Sequence, residues 1–496
     1  MASRGRVALG SRRRRDRMNM SEKPNFLIIM SDQHAPDTIG AMGHPAVQTS
    51  ALDQLMSAGV SFRSTYCCYP MCTPSRASFM TGQLTPEHGV WELGTPLRSD
   101  MPTWAHVMRQ AGYSTSISGR MHFVGHDRMH GFERRVHPDI AETLIPSAYG
   151  DWDQPQGDDH VMLAALKNAG PTDEPTKAER FDCAVAEAAM EELSFLNSSQ
   201  NDRPWALMVG LYLPHFQYAI SRGYYDRYDE VDIPMPRVPP DGKTYEEMIP
   251  TQLENSRKWL GLTTDGASEE QVRMARRCYY GMITCMDEQI GRLVSHLDRV
   301  GATDNTWVIY LSDHGDNMGE HGFWSKLNFY EDSVRVPLIV VPPGYGNSGA
   351  QCETPVSLVD WMATVLDLTG QESVFDQMPG RSLLPLIENP KLQEPQRAVF
   401  ADYACDGTRV PMRMIRRGRW KAWFALDLPP LLFDLEDDPH EWNDLSGEDS
   451  ARQILEDLYG IACSAGWDAE SLREDILLHK RRLKYIHQAE SGTLKI

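Results

Sequence analysis

Residues 25–33 read NFLIIMSDQ, and residues 306–316 read TWVIYLSDHGD. Each is a short apolar run that breaks abruptly into polar residues, the pattern of a buried strand opening onto a loop. Each run delivers an aspartate at its carboxyl end, Asp32 in the first and Asp313 in the second. Further apolar runs at Trp205 to Leu213 and Val336 to Val341 alternate with helical stretches at Asp182 to Leu196 and Arg273 to Leu297. Strands alternating with helices predict an α/β fold, a large mixed, mostly parallel sheet sandwiched by helices. Ligands of open α/β sheets bind outside the carboxyl ends of the strands, so Asp32 and Asp313 are expected to converge.

The 496 residues, 41% of them hydrophobic, exceed what one small core organises. After about residue 370 the texture changes. Pro379, Gly380 and Pro385 punctuate it, and short strand-like pieces (Ala398 to Tyr403, Met412 to Ile415, Trp420 to Phe424, Leu431 to Leu435) replace long helices. The expected division is a basic head at 1–22, a catalytic domain at 23–370, and a smaller C-terminal α+β domain with a helical tail at 371–496. In the head, Arg4, Arg6, Arg12 to Arg15 and Arg17 crowd together without periodic apolar residues, so it reads as disordered. Met18 to Lys23 stands where an export signal needs an apolar stretch, and no run of about 18 apolar residues suggests a membrane helix. Acidic residues number 69 against 49 basic ones, a net charge of -20 that repels nucleic acid and anionic membrane. Nine cysteines without paired CxxC spacing point to reduced thiols and a cytoplasmic location rather than a disulfide framework or structural zinc.

The segment Cys72-Thr73-Pro74-Ser75-Arg76, continuing ASFMTG to Gly82, puts a thiol just before a proline that can occupy the first helical position. A helix starting there aims free N–H groups and its positive dipole end at an anion beside residue 72, with Arg76 one turn on adding a permanent charge. CTPSR followed by TG resembles the signature of the sulfatase family within the alkaline phosphatase superfamily, and the similarity runs in order through most of residues 24–445. The resemblance implies an alkaline-phosphatase-like fold and conversion of Cys72 to formylglycine. One hydroxyl of the aldehyde hydrate then attacks sulfur, and the other later expels sulfate.

The same resemblance implies Asp32, Asp313 and His314 as metal ligands beside residue 72, with Gln33 where many relatives carry a second aspartate. Oxygen donors favour calcium, while an imidazole at 314 admits manganese. GYSTSISGRMHFVG (112–125) resembles the family's GKWH block, which implies Arg120 as a sulfate-holding group in place of lysine. It also implies His122 as a contact to the hydrate or a base for it. YLPH, ending at His215, and GFWSK, ending at Lys326, match elements that imply His215 and Lys326 as acids for the leaving group. His321 is read as a flanking residue rather than a ligand, and Trp324, Phe329 and Tyr330 as packing groups.

The spacing looks most like the choline-sulfatase branch, so the expected substrate is a small sulfate ester, choline sulfate being one candidate. A quaternary ammonium needs an aromatic cage. The loop with Tyr149, Trp152 and His160 could supply one, although a surface loop is the preferred reading. Two alternatives stay open: a phosphonate monoester or phosphodiester hydrolase of the same superfamily, and a non-catalytic module that binds a sulfate ester. A formylglycine-generating enzyme is the expected maturation partner. Relatives often form oligomers, and Glu470 to Lys484 could lie across a second copy, but a solvated helix is the default.

Overall fold

The two runs that deliver aspartates are strands, and they lie side by side. β1 (Asn25–Ser31) pairs in parallel with the strand Thr306–Ser312, with Met30 level with Leu311 and Ser31 level with Ser312. Asp32 and Asp313 therefore leave the sheet at the same height. The computed structural model describes residues 23–140, 161–344, 349–405 and 407–490. The basic head and the loop with Tyr149, Trp152 and His160 lie outside the described residues.

The remaining strands of the large sheet are β2 (Val60–Tyr66), β3 (Ser114–Gly119), β4 (Arg134–His137), then, beyond β5 (Gly170–Thr172), β6 (Trp205–Gly210). Past β7 (Ala219–Ser221) and β8, the strand Thr306–Ser312, come β9 (Arg335–Val341), β10 (Ala350–Cys352) and β11 (Val356–Ser357). Their order is β10-β2-β9-β8-β1-β6-β3-β4, with β11 also on β2, while β5 and β7 form a separate pair. The sheet is mixed and mostly parallel. β9 runs against both neighbours, β2 and β8, so the run at 336–341 departs from the parallel pattern its flanking helices suggested. The physical reason lies in the connection: residues 313–334 build site loops, a single 3-10 turn at Glu320–Gly322 and the short helix Glu331–Val334, with no long crossover helix to return the chain in the same direction.

Every residue of β1, β3 and β6 is buried, as strands covered on both faces are. One group of helices, Ser50–Ala58, Lys177–Leu196 and Glu269–Arg299, packs together, and so does a second, Cys72–Thr81, Trp104–Gln110 and Asp360–Thr369. In the second group Trp361 stacks on Phe79 and meets Trp104 edge-on. Gly82 explains the glycine of the TG pair. It ends the helix Cys72–Thr81 at φ 67°, and a Cβ there would stand 2.4 Å from Met362 Cβ.

The C-terminal region is an antiparallel four-stranded sheet, β12 (Ala398–Tyr403), β13 (Met412–Arg417), β14 (Trp420–Ala425) and β15 (Leu431–Asp434) in sequence order. All four strand-like pieces read from the sequence are strands. Two helices follow, Arg452–Ser464 and Ala469–Glu490. Among the described residues no helix is long and apolar enough to cross a membrane.

Candidate active site

The carboxyl ends of β1 and β8 meet the amino end of the helix Cys72–Thr81. The helix starts at Cys72 itself, so Pro74 occupies its third position rather than its first, still within the turn whose N–H groups have no helical partner. Cys72 Sγ lies 3.2 Å from His314 Nε2, 3.5 Å from Asp32 Oδ1 and 3.5 Å from Lys326 Nζ. Asp32, Cys72, Asp313 and His314 each offer a ligand atom within 4.8 Å of the others, and all four are buried.

Two guanidinium groups shape this cluster. Arg76 donates through Nε to Asp313 Oδ2 at 2.8 Å and through an Nη to Asp32 Oδ2 at 3.2 Å, and its other Nη donates to the Arg120 carbonyl at 2.7 Å. Arg120 Nε also donates to Asp32 Oδ2. Burial alone would push the Asp32 carboxyl up, but the charges of Arg120, Arg76 and Lys326 hold it well below the usual range. Because the arginines take the Oδ2 atoms, the Oδ1 atoms of both aspartates turn toward His314 Nε2, each 3.6 Å away. Arg76 thus differs from its sequence-based placement: its fork is committed to the two carboxylates and orders them instead of facing an anion directly.

His314 Nδ1 sits 3.0 Å from the Gly315 carbonyl, which only accepts, so Nδ1 carries the proton and Nε2 presents a lone pair to the cluster. Burial holds this imidazole down at about 4, so the lone pair is free at neutral pH. Two carboxylate oxygens, an imidazole nitrogen and the adjoining residue 72 make a donor set that fits a hard divalent cation with tolerance for nitrogen. Gln33 lies at the edge of this set. Its Oε1 accepts from Lys326 Nζ at 2.6 Å, and its Nε2 donates to Asp316 Oδ2 at 2.5 Å.

The other candidates ring the same point. Arg120 follows β3, where its N–H donates to the Gly210 carbonyl at 2.8 Å; a Cβ on Gly210 would collide with the Arg120 carbonyl at 1.7 Å. His122 Nδ1 accepts from the Arg120 guanidinium at 3.4 Å, and burial followed by the charge of Arg120 pushes its imidazole well below the ordinary value. The neutral ring then carries its proton on Nε2 and acts as a donor, which removes Nε2 as a base. His215 shows the reverse. Its Nδ1 is 2.6 Å from the Phe216 carbonyl, and burial and Lys326 lower it, so the neutral ring offers an Nε2 lone pair. A lone pair there accepts a proton rather than supplying one to a leaving group, whereas Lys326 has three protons to give.

Gln33, His122, Ser325 and Leu327 are non-glycine residues at positive φ (69°, 55°, 65° and 81°), flanking or supplying the site side chains. Such conformations cost roughly 1–3 kcal/mol each and persist where surrounding structure fixes them. Four supports escaped the sequence reading. Asp139 accepts from the backbone N–H groups of Met121 and His122 at 3.0 and 2.7 Å and lies 3.7 Å from Arg120. Tyr212 places its ring 5.0 Å under the Arg120 guanidinium. Asp182, raised to about 7 by burial, accepts from Tyr212 and Leu213 N–H at 2.6 and 3.0 Å and holds the approach to His215. Asp316 is the fourth; its position in SDHGD, three residues past Asp313, was the available signal. His321 lies outside the cluster, stacked on Tyr330 at 3.6 Å, and Trp324, Phe329 and Tyr330 are buried packing groups.

The fold is shared with a phosphonate monoester hydrolase of Agrobacterium radiobacter, at a TM-score of 0.71 and 24% identity over 89% of this chain and 95% of that one. It is the architecture of the alkaline phosphatase superfamily. Within that class, residues 24–371 match the family model for sulfatases, and residues 319–461 match that for the N-sulphoglucosamine sulphohydrolase C-terminal region. The chain belongs to the sulfatase family, and by class it is a sulfuric ester hydrolase. It is 36% identical to a choline-sulfatase of Rhizobium meliloti over 443 residues, 86% of this chain and 82% of the relative. It is also 28% identical to an arylsulfatase of Clostridium perfringens, covering 88% of this chain and 93% of that one.

Proposed function

We propose that this chain hydrolyses a small sulfate ester with residue 72, as formylglycine, for its nucleophile. The observation that carries this reading is the placement of Cys72 Sγ within 3.5 Å of Asp32, His314 and Lys326 together, at the start of a helix. Sγ stands where the hydrate oxygens of the aldehyde would be. One hydrate oxygen attacks sulfur as the bond to the ester oxygen breaks, and Lys326 gives that oxygen its proton. The second hydroxyl then gives up its proton, the aldehyde C=O reforms, and sulfate departs; water restores the hydrate. His215 Nε2 is the acceptor for a hydrate proton. His122 Nε2–H and Arg120 hold sulfate oxygens, and Arg76 keeps the two aspartates parallel.

Asp32, Asp313 and His314, with the Gln33 amide oxygen beside them, would hold a divalent cation, which when bound polarises a sulfate oxygen and favours the ionised hydrate. Calcium suits the oxygen donors, with manganese the alternative. A formylglycine-generating enzyme is the maturation partner this reading requires, and a cytoplasmic small ester is the substrate class, choline sulfate among them; the relative named choline-sulfatase supports that choice.

Mass spectrometry of the tryptic peptide from Ser64 to Arg76, on protein co-expressed with the maturation enzyme, should show the thiol replaced by an aldehyde. Turnover of 4-nitrophenyl and choline sulfates should accompany it. A persistent thiol with tight sulfate-ester binding and no turnover would make the chain a binding module instead. The fold shared with a phosphonate monoester hydrolase favours phosphorus esters as the second reading, and faster turnover of an aryl phosphonate than of the aryl sulfate would select it.

A further inference from the structure

We infer that Asp316 is a positioning residue that fixes which end of the Gln33 amide faces the reaction centre, and through it where the Lys326 ammonium sits. Asp316 is fully buried just past the end of β8. Its Oδ1 accepts from the backbone N–H groups of Met318 and Ser325 at 2.9 and 3.0 Å, and its Oδ2 accepts from Gln33 Nε2 at 2.5 Å and the Tyr218 hydroxyl at 3.0 Å. A carboxylate only accepts, so the Gln33 atom against it is the NH2. At the other end of the amide, Lys326 Nζ only donates, and it stands 2.6 Å from Oε1. The amide is therefore oriented twice over, and its oxygen is the atom presented to Lys326 and the neighbouring cation cluster.

The same carboxylate also holds Lys326 from behind. Ser325, whose N–H it takes, is the residue before Lys326 and sits in the left-handed region at φ 65°. Asp316 thus grips the backbone one residue before the lysine and its ammonium through Gln33, and that ammonium lies 3.5 Å from Cys72 Sγ. This arrangement also explains the amide at position 33. A carboxylate there would set an oxygen 2.5 Å from Asp316 Oδ2, two buried acceptors with no proton between them, so the negative charge sits one residue out from the cluster while the amide relays it.

The test is a double-mutant cycle in the full-length protein: D316N, Q33E and Q33E/D316N, with calcium and manganese affinity by calorimetry and thermal melting in chelator. D316N, whose amide no longer dictates the Gln33 orientation, should lose cation affinity by roughly 10–100-fold. Q33E, with two carboxylates facing each other, should melt lowest, and Q33E/D316N should recover much of both losses because an amide NH2 once more faces a carboxylate oxygen across this contact. A folded D316N with unchanged cation affinity, or a double variant no better than the sum of its singles, overturns the assignment. The assignment rests on the proposed roles of Lys326 and the cation cluster, but the cycle does not depend on turnover. Failed conversion of Cys72 would silence every variant, wild type included, and leave the order of affinities and melting temperatures intact. If no variant binds a cation, the melts in chelator alone decide.

Discussion

Two of the buried charge clusters among the described residues satisfy their carboxylates differently. At the junction of the two sheets, Lys421 of β14 is fully buried and pairs with Glu331 Oε1 and Glu441 Oε1, both at 2.8 Å. Glu331 Oε2 takes the Tyr66 hydroxyl at 3.0 Å and Arg335 Nε at 3.1 Å, and Glu441 Oε2 accepts the Glu331 N–H at 2.7 Å. Each carboxylate oxygen there meets a cation or a donor of the protein. At the ends of β1 and β8 the arginines engage only the Oδ2 atoms; Asp313 Oδ1 accepts the N–H groups of Gln33 and His314 at 3.1 and 2.9 Å, while Asp32 Oδ1 faces a thiol and an imidazole lone pair. Burial of charge is common to both clusters. What marks the site is the half-engaged carboxylate of Asp32, whose Oδ1 stands beside a thiol, an imidazole lone pair and Asp313 Oδ1, an arrangement that a bound cation would complete.

The sharpest way to break that comparison is to delete one group from each cluster and ask which property falls. Cys72→Ala should lower turnover by on the order of 10⁴-fold or more while the melting temperature barely moves, because the group lost is the nucleophile. Lys326→Ala should follow with a loss of about 10²–10⁴-fold in kcat, the range for a general acid. That loss should be smaller for 4-nitrophenyl sulfate, whose leaving oxygen needs little protonation, than for an alkyl sulfate. Equal losses on the two esters would remove the acid role from Lys326.

Lys421→Met tests the opposite half. Removing one partner of a buried ion pair strands the others and costs about 3–5 kcal/mol, so the melting temperature should drop clearly. At 25 °C the folded variant should keep the kcat of the parent protein. A variant that melts normally but turns over slowly would show that the junction cluster is coupled to the site through the Lys326–Glu331 segment, and the two clusters would no longer be separable.

How much of this was legible in the sequence depended on range. Asp32 and Asp313 were found because an apolar run ending in a carboxylate is a local signal, and parallel register then carries both to one height. The strands β12 to β15 were likewise visible as alternating short runs. The direction of β9 was not, since it depends on what residues 313–334 build rather than on the run itself. Arg76 shows the same limit at the site: its charge was evident, but its commitment to Asp313 and Asp32 appears only once its helix meets the ends of β1 and β8. The proton positions on His122 and His215 depend on Arg120 and the Phe216 carbonyl, contacts that appear only once β3 and the 211–216 segment lie together. Lone residues such as Asp139 and Asp182, which cap backbone N–H groups from other elements, leave no pattern at all.

The smallest expected effect belongs to His321, which the sequence set beside the site and the structure places on the junction side. Its ring is stacked on Tyr330, at 3.6 Å between centroids, with Trp442 at 4.2 Å. Burial, helped by the charges of Arg237 and Lys421, holds the imidazole down at about 3 against an ordinary 6.5. A depressed histidine binds its proton more readily in the unfolded chain than in the folded one. Its contribution to stability is therefore complete above pH 6.5 and drains away as the pH falls toward 3. His321→Gln should flatten that part of the acid slope, read as the difference in melting temperature between wild type and variant from pH 7 down to pH 4. The pH dependence of kcat, set by groups around Cys72, should not move. A variant whose acid slope matches the wild type, or whose pH–rate profile shifts, would put His321 with the site rather than with the junction.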